Sequence, residues 1–310
     1  MCGIVAAAAG KNIVPVLVEG LKKLEYRGYD SAGLAVISGA GIERVRSVGR
    51  VAELEIGSAN TQSVTGIAHT RWATHGVPSE RNAHPHVSGS IAVVHNGIIE
   101  NYESLRRDLT AQGYVFTSDT DTESIAHLLE ATLKREPDLF KAVQITCRQL
   151  VGAYAIAVID HSQPGKVIVA REGSPLLLGV SDTGNYAASD ASALLQVTRN
   201  MVYLENGDIA ELTATSVKIT RLDGTPVERP VHVSQLSAAA VELGNYQHYM
   251  QKEIFEQPEA LANTLEIVGG SKSIQPGIFG ADAANLMADV DSILILACGT
   301  SSHSGYTARY

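Results

Sequence analysis

Short β-rich runs dominate the first 220 residues, and the helical segments among them are grouped instead of following each strand. Strands are predicted at residues 4–9, 33–37, 42–48, 65–69, 91–95, 153–159, 166–170, 176–180, 201–204, 208–212 and 217–220. Helices are predicted at residues 13–24, 101–112 and 122–134. Because the helices are grouped, the pattern favours an α+β layered domain over a doubly wound parallel sheet.

The composition changes after about residue 225. Pro226, Pro230 and a Ser/Ala run make residues 224–240 typical of a linker. Further helices are predicted at residues 249–255, 259–268 and 281–288. The apolar run 292–297 then leads into a loop rich in Gly, Ser and Thr, as the first strand of a parallel α/β sheet does.

These segments predict two regions. Residues 2–235 form the first domain, and residues 236–310 form linker helices and the first strand of a second domain. Because one parallel strand cannot bury itself, we expect this second domain to be incomplete, in a fragment or a truncated gene product.

Charge and cysteine usage exclude several classes of protein. The net charge of −9 and the lack of a Lys/Arg cluster argue against nucleic acid as the main partner. The three cysteines, Cys2, Cys147 and Cys298, are far apart, so we expect no disulfide framework and a reducing compartment. No apolar run is long enough to cross a bilayer. The sequence therefore predicts a soluble, cytoplasmic protein.

Cys2 directly follows Met1. If Met1 is removed, residue 2 carries both a thiol and an α-amine whose pKa is roughly 7.7–8.0, so one residue supplies a nucleophile and its base. The alternative is that Cys2 is a small residue that opens a buried strand, since free cysteine is usually buried.

Arg71 and Trp72 follow a predicted strand, at the kind of position where loops present functional groups. The Arg71 guanidinium could hold a carboxylate through two hydrogen bonds. The alternative is a surface arginine beside a tryptophan that anchors the core.

Asn96-Gly97 also has two interpretations. Asn-Gly is a strong hairpin-turn signal. A side-chain amide beside a glycine N–H is also a good pair of donors for an oxyanion. Both interpretations stay open from the residues alone.

The acidic cluster at residues 118–123 precedes a predicted helix, and helix capping explains most of it. One carboxylate beyond that need could bind an ammonium group. The ten histidines have no metal-ligand spacing, so we interpret them as packing residues and expect no metal and no cofactor. The hydroxyls after Cys298 suit either a phosphate or a simple helix cap.

Five ordered motifs resemble one family. They are Cys2-Gly3-Ile4, Arg27-Gly28-Tyr29-Asp30-Ser31, residues 69–76, His95-Asn96-Gly97 and residues 118–123. Together they are similar to the class II glutamine amidotransferases, whose glutaminase domain is an N-terminal-nucleophile hydrolase. The resemblance implies a four-layer αββα sandwich for the first domain, and L-glutamine as substrate.

The resemblance also implies a role for each matching residue. Cys2 is the nucleophile, and its α-amine is the base. The oxyanion is held by Asn96 and Gly97. The remaining roles it implies are substrate binding by Arg71, Thr74, His75 and Asp121, and gating of the ammonia path by Trp72.

Residues 248–253 and 298–301 narrow the resemblance to the branch that aminates fructose 6-phosphate to glucosamine 6-phosphate, the entry to UDP-N-acetylglucosamine. This implies that Thr300 and Ser301 form part of a sugar-phosphate site in a sugar isomerase domain, and that the full-length enzyme is a homodimer. Two alternatives remain open: an amidotransferase with another acceptor, and a non-catalytic remnant that binds sugar phosphate.

Overall fold

The computed structural model describes residues 2–73, 75–235, 245–268, 283–288 and 290–309. Contacts divide the chain into two compact units, Met1–Glu242 and Leu243–Tyr310. Within the described part, no helix combines the length and the apolar character needed to cross a bilayer.

The first unit is built around two sheets. Its described strands are β1 (Gly3–Ala9), β2 (Ser31–Ser38), β3 (Gly41–Val48), β4 (Thr65–Arg71), β5 (His86–Ser88), β6 (Ile91–Ile99), β7 (Gly152–Asp160), β8 (Val167–Glu172), β9 (Leu177–Ser181), β10 (Gly184–Ala188), β11 (Asn200–Tyr203), β12 (Asp208–Leu212), β13 (Val217–Arg221) and β14 (Val231–Val233). An eight-stranded sheet has the order β14-β11-β9-β10-β1-β4-β2-β3, and a six-stranded sheet has the order β13-β12-β8-β7-β6-β5. The strand pairs are antiparallel.

Helices cover the outer face of each sheet. α1 (Val14–Leu24) and α2 (Val51–Gly57) pack on the eight-stranded sheet, where one apolar cluster joins them to its strands. α3 (Tyr102–Ala111), α4 (Thr122–Leu133) and α5 (Leu139–Cys147) pack on the six-stranded sheet through a second cluster. A third cluster fills the space between the sheets. The predicted four-layer αββα sandwich is therefore confirmed.

β1 shows how the sequence specifies its place in these layers. All seven of its residues are buried. Side chains alternate between the two faces of a strand, so Val5 and Ala7 face the helices while Ile4 and Ala6 face the second sheet. Because both faces are covered, the strand reads as one continuous apolar run instead of an alternating pattern.

The helices predicted at residues 13–24, 101–112 and 122–134 correspond to α1, α3 and α4 within one or two residues at each end. α2 and α5 lie where no helix was predicted. α2 has only seven residues. Along α5 seven of the nine residues are buried, which leaves little polar face to reveal a helical period.

The second unit contains α6 (Tyr249–Val268), α7 (Ala283–Ala288) and α8 (Gly299–Ala308). α6 runs through Pro258, where two separate helices were predicted. The strand predicted at residues 292–297 is wrong, because those residues form no regular structure and Leu294 is 82% exposed. A parallel strand needs a neighbouring strand for its hydrogen bonds, and none is described in this unit.

The first two residues of the helix predicted at 281–288, and residues 236–240 of the predicted linker, lie outside the described residues. The division into an amidotransferase domain at 2–235 and the start of a sugar isomerase domain at 236–310 stays a prediction.

Leu21→Ala tests the packing of α1 on its sheet. Leu21 is 0% exposed and belongs to the cluster beneath α1, so its truncation should lower the free energy of unfolding by about 2–5 kcal/mol. Ile56→Ala on α2 is the matched control, since Ile56 is 74% exposed; its effect should stay within about 0.5 kcal/mol. Urea denaturation followed by circular dichroism measures both, and equal losses would contradict the layer assignment.

Candidate active site

The predicted site residues that the structure describes in the first unit come together around Cys2. Cys2 immediately precedes β1, and Arg71 ends β4, the neighbour of β1 in the sheet. Asn96 and Gly97 lie in β6 of the other sheet, and Asp121 is the N-cap of α4. A small cavity of about 20 Å³ is lined by Cys2, Arg71, Trp72, His75, His84, His95, Gly97, Thr120, Asp121 and Thr122.

The Cys2 thiol contacts the backbone of the residue after β4. The Trp72 N–H donates to Cys2 Sγ at 3.2 Å, and the thiol reaches the Trp72 carbonyl oxygen at 3.5 Å. Burial raises the pKa of the Cys2 thiol, while the hydrogen bond from Trp72 lowers it; the net shift is upward. The thiol is therefore fixed in place but needs a base to become a nucleophile.

Residues 27–31 brace the loop that follows Arg71. A Cβ added to Gly28 would lie 2.7 Å from the Arg71 carbonyl carbon and 2.8 Å from Trp72 N, so only glycine fits there. The Asp30 N–H donates to Arg71 O at 3.2 Å, and the Asp30 carboxylate accepts from Ala73 N–H. The motif thus holds the backbone that contacts the thiol.

Asn96 presents its amide to the chain start. Its Nδ2 donates to Cys2 O at 3.1 Å, and its Oδ1 accepts from His69 Nε2 at 3.0 Å. Asn96 lies inside β6, opposite Ala155 of β7. The hairpin-turn interpretation of Asn96-Gly97 is therefore wrong.

Gly97 is required by its surroundings. Its φ is +124°, and a Cβ there would lie 1.9 Å from the Ala153 carbonyl oxygen. No L side chain fits this position without moving β7. Gly97 therefore allows the close approach of β6 to β7, and it lines two cavities that Cys2 also lines.

Arg71 is 3% exposed, so it is not a surface arginine. Its Nη2 donates to the carbonyl oxygens of His75 and, at 2.9 Å, of Gly76. Its Nη1 is buried and has no hydrogen-bond partner among the described residues. A buried, unpaired guanidinium N–H beside the cavity is a donor suited to a carboxylate.

Asp121 is the carboxylate that capping does not explain. Its side chain makes no cap hydrogen bond to α4; its Oδ2 accepts from Ile99 N–H at 2.9 Å and lies 3.9 Å from His95 Nδ1. Glu123, in the first turn of α4, accepts from the N–H groups of Thr117 and Ser118 and so fastens the preceding loop to the helix. Asp121 is 4% exposed and lines the same cavity as Arg71.

Trp72 is 51% exposed, so the interpretation as a core anchor is wrong. Its ring meets Tyr29 edge to face at 6.2 Å between centroids. It lines a second, more open pocket of about 230 Å³, whose walls are Cys2, Arg27, Trp72, Asn96, Gly97, Ile98, Ser174 and Pro175.

The His75 ring contacts Tyr102 at 5.3 Å. Thr74 lies outside the described residues.

The structure shows a set of buried histidines that the sequence analysis treated as packing residues in loops. The ring centroids of His69 and His84 are 4.2 Å apart. The Thr122 hydroxyl lies 2.7 Å from His84 Nε2 and 2.9 Å from His95 Nδ1. Burial lowers the pKa of His69 to about 3 and lowers the pKa of His84 well below its ordinary value, so both rings stay neutral. The only sequence signal was position, because His69 precedes Arg71 by two residues and His95 adjoins Asn96.

Thr300 and Ser301 lie in the first turn of α8 and are exposed. Their role in a sugar-phosphate site stays a prediction. Within the described residues, no three His, Cys, Asp or Glu side chains come together as metal ligands.

Known proteins resemble this chain over the residues that form the site. A family described as a glutamine amidotransferase domain matches residues 69–196. The whole chain is 51% identical to glutamine–fructose-6-phosphate aminotransferase (isomerizing) of Xylella fastidiosa Temecula1, and 52% and 53% identical to the proteins of that name in Vibrio cholerae and Pseudomonas syringae pv. tomato. In each case 100% of this chain is covered, and 51% of the relative. The chain therefore spans about half the length of the curated relatives it matches.

Solved structures agree on the fold. The glutamine phosphoribosylpyrophosphate amidotransferase of B. subtilis superimposes with a TM-score of 0.62 at 25% identity, over 71% of this chain and 49% of that one. A structure described as the allosteric regulatory enzyme of purine biosynthesis gives a TM-score of 0.62 at 26% identity, with the same coverage.

The raised pKa of the Cys2 thiol predicts how its alkylation depends on pH. The thiolate is the reactive form, so a raised pKa moves the midpoint of the alkylation rate to higher pH. A protonated α-amine on residue 2 favours the thiolate and moves the midpoint back down. We expect iodoacetamide to give a lower midpoint for the chain without Met1 than for a chain that retains it.

Mass spectrometry of the N-terminal peptide follows this reaction, and Cys2→Ala provides the blank. The α-amine of Met1 also lowers this pKa in the chain that retains it, so identical midpoints would show that moving the amine to residue 2 does not strengthen its effect on the thiol.

Proposed function

We propose that this chain hydrolyses L-glutamine to L-glutamate and ammonia with Cys2 as nucleophile, since residues 69–196 match a glutamine amidotransferase domain and the whole chain is 51% identical to a glutamine–fructose-6-phosphate aminotransferase. The observation that supports this most is the shared cavity, which is lined by Cys2, by the Asp121 carboxylate and by Arg71, whose Nη1 has no partner among the described residues. Those three groups match the amide, the α-carboxylate and the α-ammonium of one amino-acid substrate.

Binding of glutamine uses two opposite charges among the residues that line the cavity, those of Arg71 and Asp121. The buried Nη1 of Arg71 donates to the α-carboxylate. The Asp121 carboxylate accepts from the α-ammonium, and Thr74 and His75 are further substrate-binding residues in this proposal. With the α-carboxylate and the α-ammonium held at one end of glutamine, the side-chain amide at its other end is free to reach Cys2, which converts an encounter into an oriented attack.

The first chemical step breaks the amide bond. After removal of Met1, the α-amine of Cys2 takes the thiol proton, and the sulfur attacks the amide carbon. The resulting oxyanion is held by Asn96 Nδ2 and Gly97 N–H. Asn96 Nδ2 carries two protons, so one can stay on Cys2 O while the other reaches the oxyanion. The ammonium proton then passes to the departing nitrogen, leaving ammonia and a thioester.

The second step restores the enzyme. The α-amine takes a proton from water, and the hydroxide attacks the thioester carbon. The same two donors hold the second oxyanion, which collapses to glutamate and releases the Cys2 sulfur. The sulfur recovers its proton, so the cycle consumes one glutamine and one water.

The proposed use of the ammonia is inferred from the names of the relatives. Because their names pair glutamine with fructose 6-phosphate, we propose that ammonia leaves past Trp72 through the pocket of about 230 Å³. It would reach a sugar isomerase domain that begins in residues 236–310, with Thr300 and Ser301 in its sugar-phosphate site. Amination of fructose 6-phosphate there gives glucosamine 6-phosphate. We also propose that the full-length enzyme is a homodimer and that it is located in the cytoplasm.

Cys2→Ala tests the nucleophile. Removal of the sulfur should lower glutamate release by at least about 10³-fold, because no other group can form the thioester. Cys298→Ala is the matched control, since Cys298 is exposed in the second unit and should leave the rate unchanged. A coupled glutamate assay on the full chain measures both.

An intact-mass measurement with a glutamine-analogue electrophile identifies the modified residue in the same samples. An adduct on residue 2 of a chain without Met1 supports the mechanism. Full activity in Cys2→Ala, or in a chain that retains Met1, would overturn it.

Arg71→Lys tests the carboxylate clamp. A lysine cannot make the paired hydrogen bonds of a guanidinium, so KM for glutamine should rise roughly 10–100-fold. Arg107→Lys is the control, because Arg107 is exposed on α3. A glutamine analogue without the α-carboxylate separates this role from loop support. The wild type should strongly prefer glutamine over the analogue, and the variant should lose most of that preference; an unchanged preference would contradict the clamp.

A further inference from the structure

We propose that His69 is a positioning residue that fixes the amide of Asn96 so that its N–H groups face the reacting carbonyl. This inference rests on the proposed function and adds a residue to it. His69 is fully buried and lies on β4, whereas Asn96 lies on β6 of the other sheet.

The contacts of His69 define its tautomer. Its Nε2 lies 3.0 Å from Asn96 Oδ1 and 3.0 Å from His95 O. A carbonyl oxygen can only accept, so Nε2 carries the proton. It donates to the carbonyl oxygen of His95 and to the side-chain oxygen of Asn96. His69 Nδ1 is buried and has no hydrogen-bond partner among the described residues, as suits an unprotonated nitrogen.

Orientation matters because the two ends of an amide have opposite polarity. With Nδ2 facing Cys2 O, both Asn96 protons lie on the side of the nucleophile. A flipped amide would turn Oδ1 toward Cys2 O and toward the developing oxyanion, where it would repel both. The His69 N–H makes the flipped state costly, because a donor would then face the amide NH₂.

His69 holds this role without a change of charge. Burial lowers its pKa to about 3, so above that pH the ring is neutral and keeps its single proton on Nε2. A charged ring would place a second N–H on Nδ1, where no described acceptor lies. The donor to Asn96 is therefore constant over the working pH range.

The position of His69 in the sheet links the parts of the site. It pairs with Ile4 of β1, two residues after Cys2, and precedes Arg71 by two residues on the same strand. Asn96 comes from the opposite sheet, so the His69–Asn96 hydrogen bond crosses the sandwich. It sets the oxyanion donor in register with the nucleophile and the substrate clamp.

His69→Leu and His69→Gln in the full chain test the inference. Leu removes the donor, and kcat should fall roughly 10–100-fold, at most the 10²–10³-fold loss of an oxyanion donor itself. KM for glutamine should change less than about 3-fold, since the interaction acts on the transition state. Gln places an N–H donor near the position of Nε2 and should restore most of kcat.

Two further measurements separate positioning from simple packing. Alkylation of Cys2 by iodoacetamide passes through no oxyanion, so its rate should be unchanged in His69→Leu. In the Asn96→Ala background, His69→Leu should cause no additional loss, because its effect is carried by Asn96. His127→Leu is the control; His127 is also buried but contacts Ser88 and Phe116 instead of the site, and it should keep full activity.

The outcomes distinguish this inference from the function on which it rests. A wild-type chain without glutaminase activity overturns both. An active wild type with full kcat in His69→Leu overturns the inference alone. Equal losses of alkylation and kcat, or additive losses in the double variant, assign His69 a packing role and also overturn it.

Discussion

The pairing of β1 with β4 is the constraint on which the site depends. The register joins Gly3 to Thr70, so Cys2 lies beside the end of β4, where the backbone N–H of Trp72 reaches its sulfur at 3.2 Å. A shift of one residue would turn every side chain of β1 to the opposite face and exchange its two apolar sets. Gly3 adds a steric limit, since a Cβ there would lie 2.7 Å from both Leu24 Cβ and Thr70 Oγ1. The core that buries β1 therefore also fixes Cys2, the proposed nucleophile.

The second sheet completes the site by way of polar contacts across a mostly apolar interface. Between the sheets the contacts are largely those of Ala, Val, Ile and Leu side chains. At one end of the sandwich this interface gives way to His69, Asn96 and Asp121, which are all buried. Buried polar groups are stable only when they are hydrogen-bonded, and such bonds specify geometry more sharply than apolar contacts do. The side chains whose geometry is most sharply specified thus lie where the two sheets meet through hydrogen bonds.

The sequence predicted those features that depend on local pattern. α1, α3 and α4 each follow a helical pattern that neighbours in the chain are sufficient to reveal. Asn96-Gly97 differs, because whether it forms a turn or a strand is decided by β7, more than fifty residues away. The burial of the histidines could not be predicted from the sequence either, since only the tertiary fold buries His69 and His84 and lowers their pKa. At residues 292–297 the local pattern was misleading. The apolar run predicted a strand, but such a run does not make a strand where none is described beside it.

The surroundings of the Cys2 sulfur support the proposal that its own α-amine is the base. Among the described residues, the hydrogen-bond partners of Sγ are the N–H and the carbonyl of Trp72, and neither can take up a proton. His84 and His95 line the same cavity, but their nearest partner is the Thr122 hydroxyl, and burial lowers the pKa of both rings. A histidine whose pKa is depressed by burial is a poor acceptor for the proton of a thiol whose pKa burial raises. An α-amine on the same residue titrates near neutral pH, and in its protonated form it stabilises the thiolate. The burial of His84 and His95 thus argues against either ring as the base, in keeping with the proposed proton transfer by residue 2 itself.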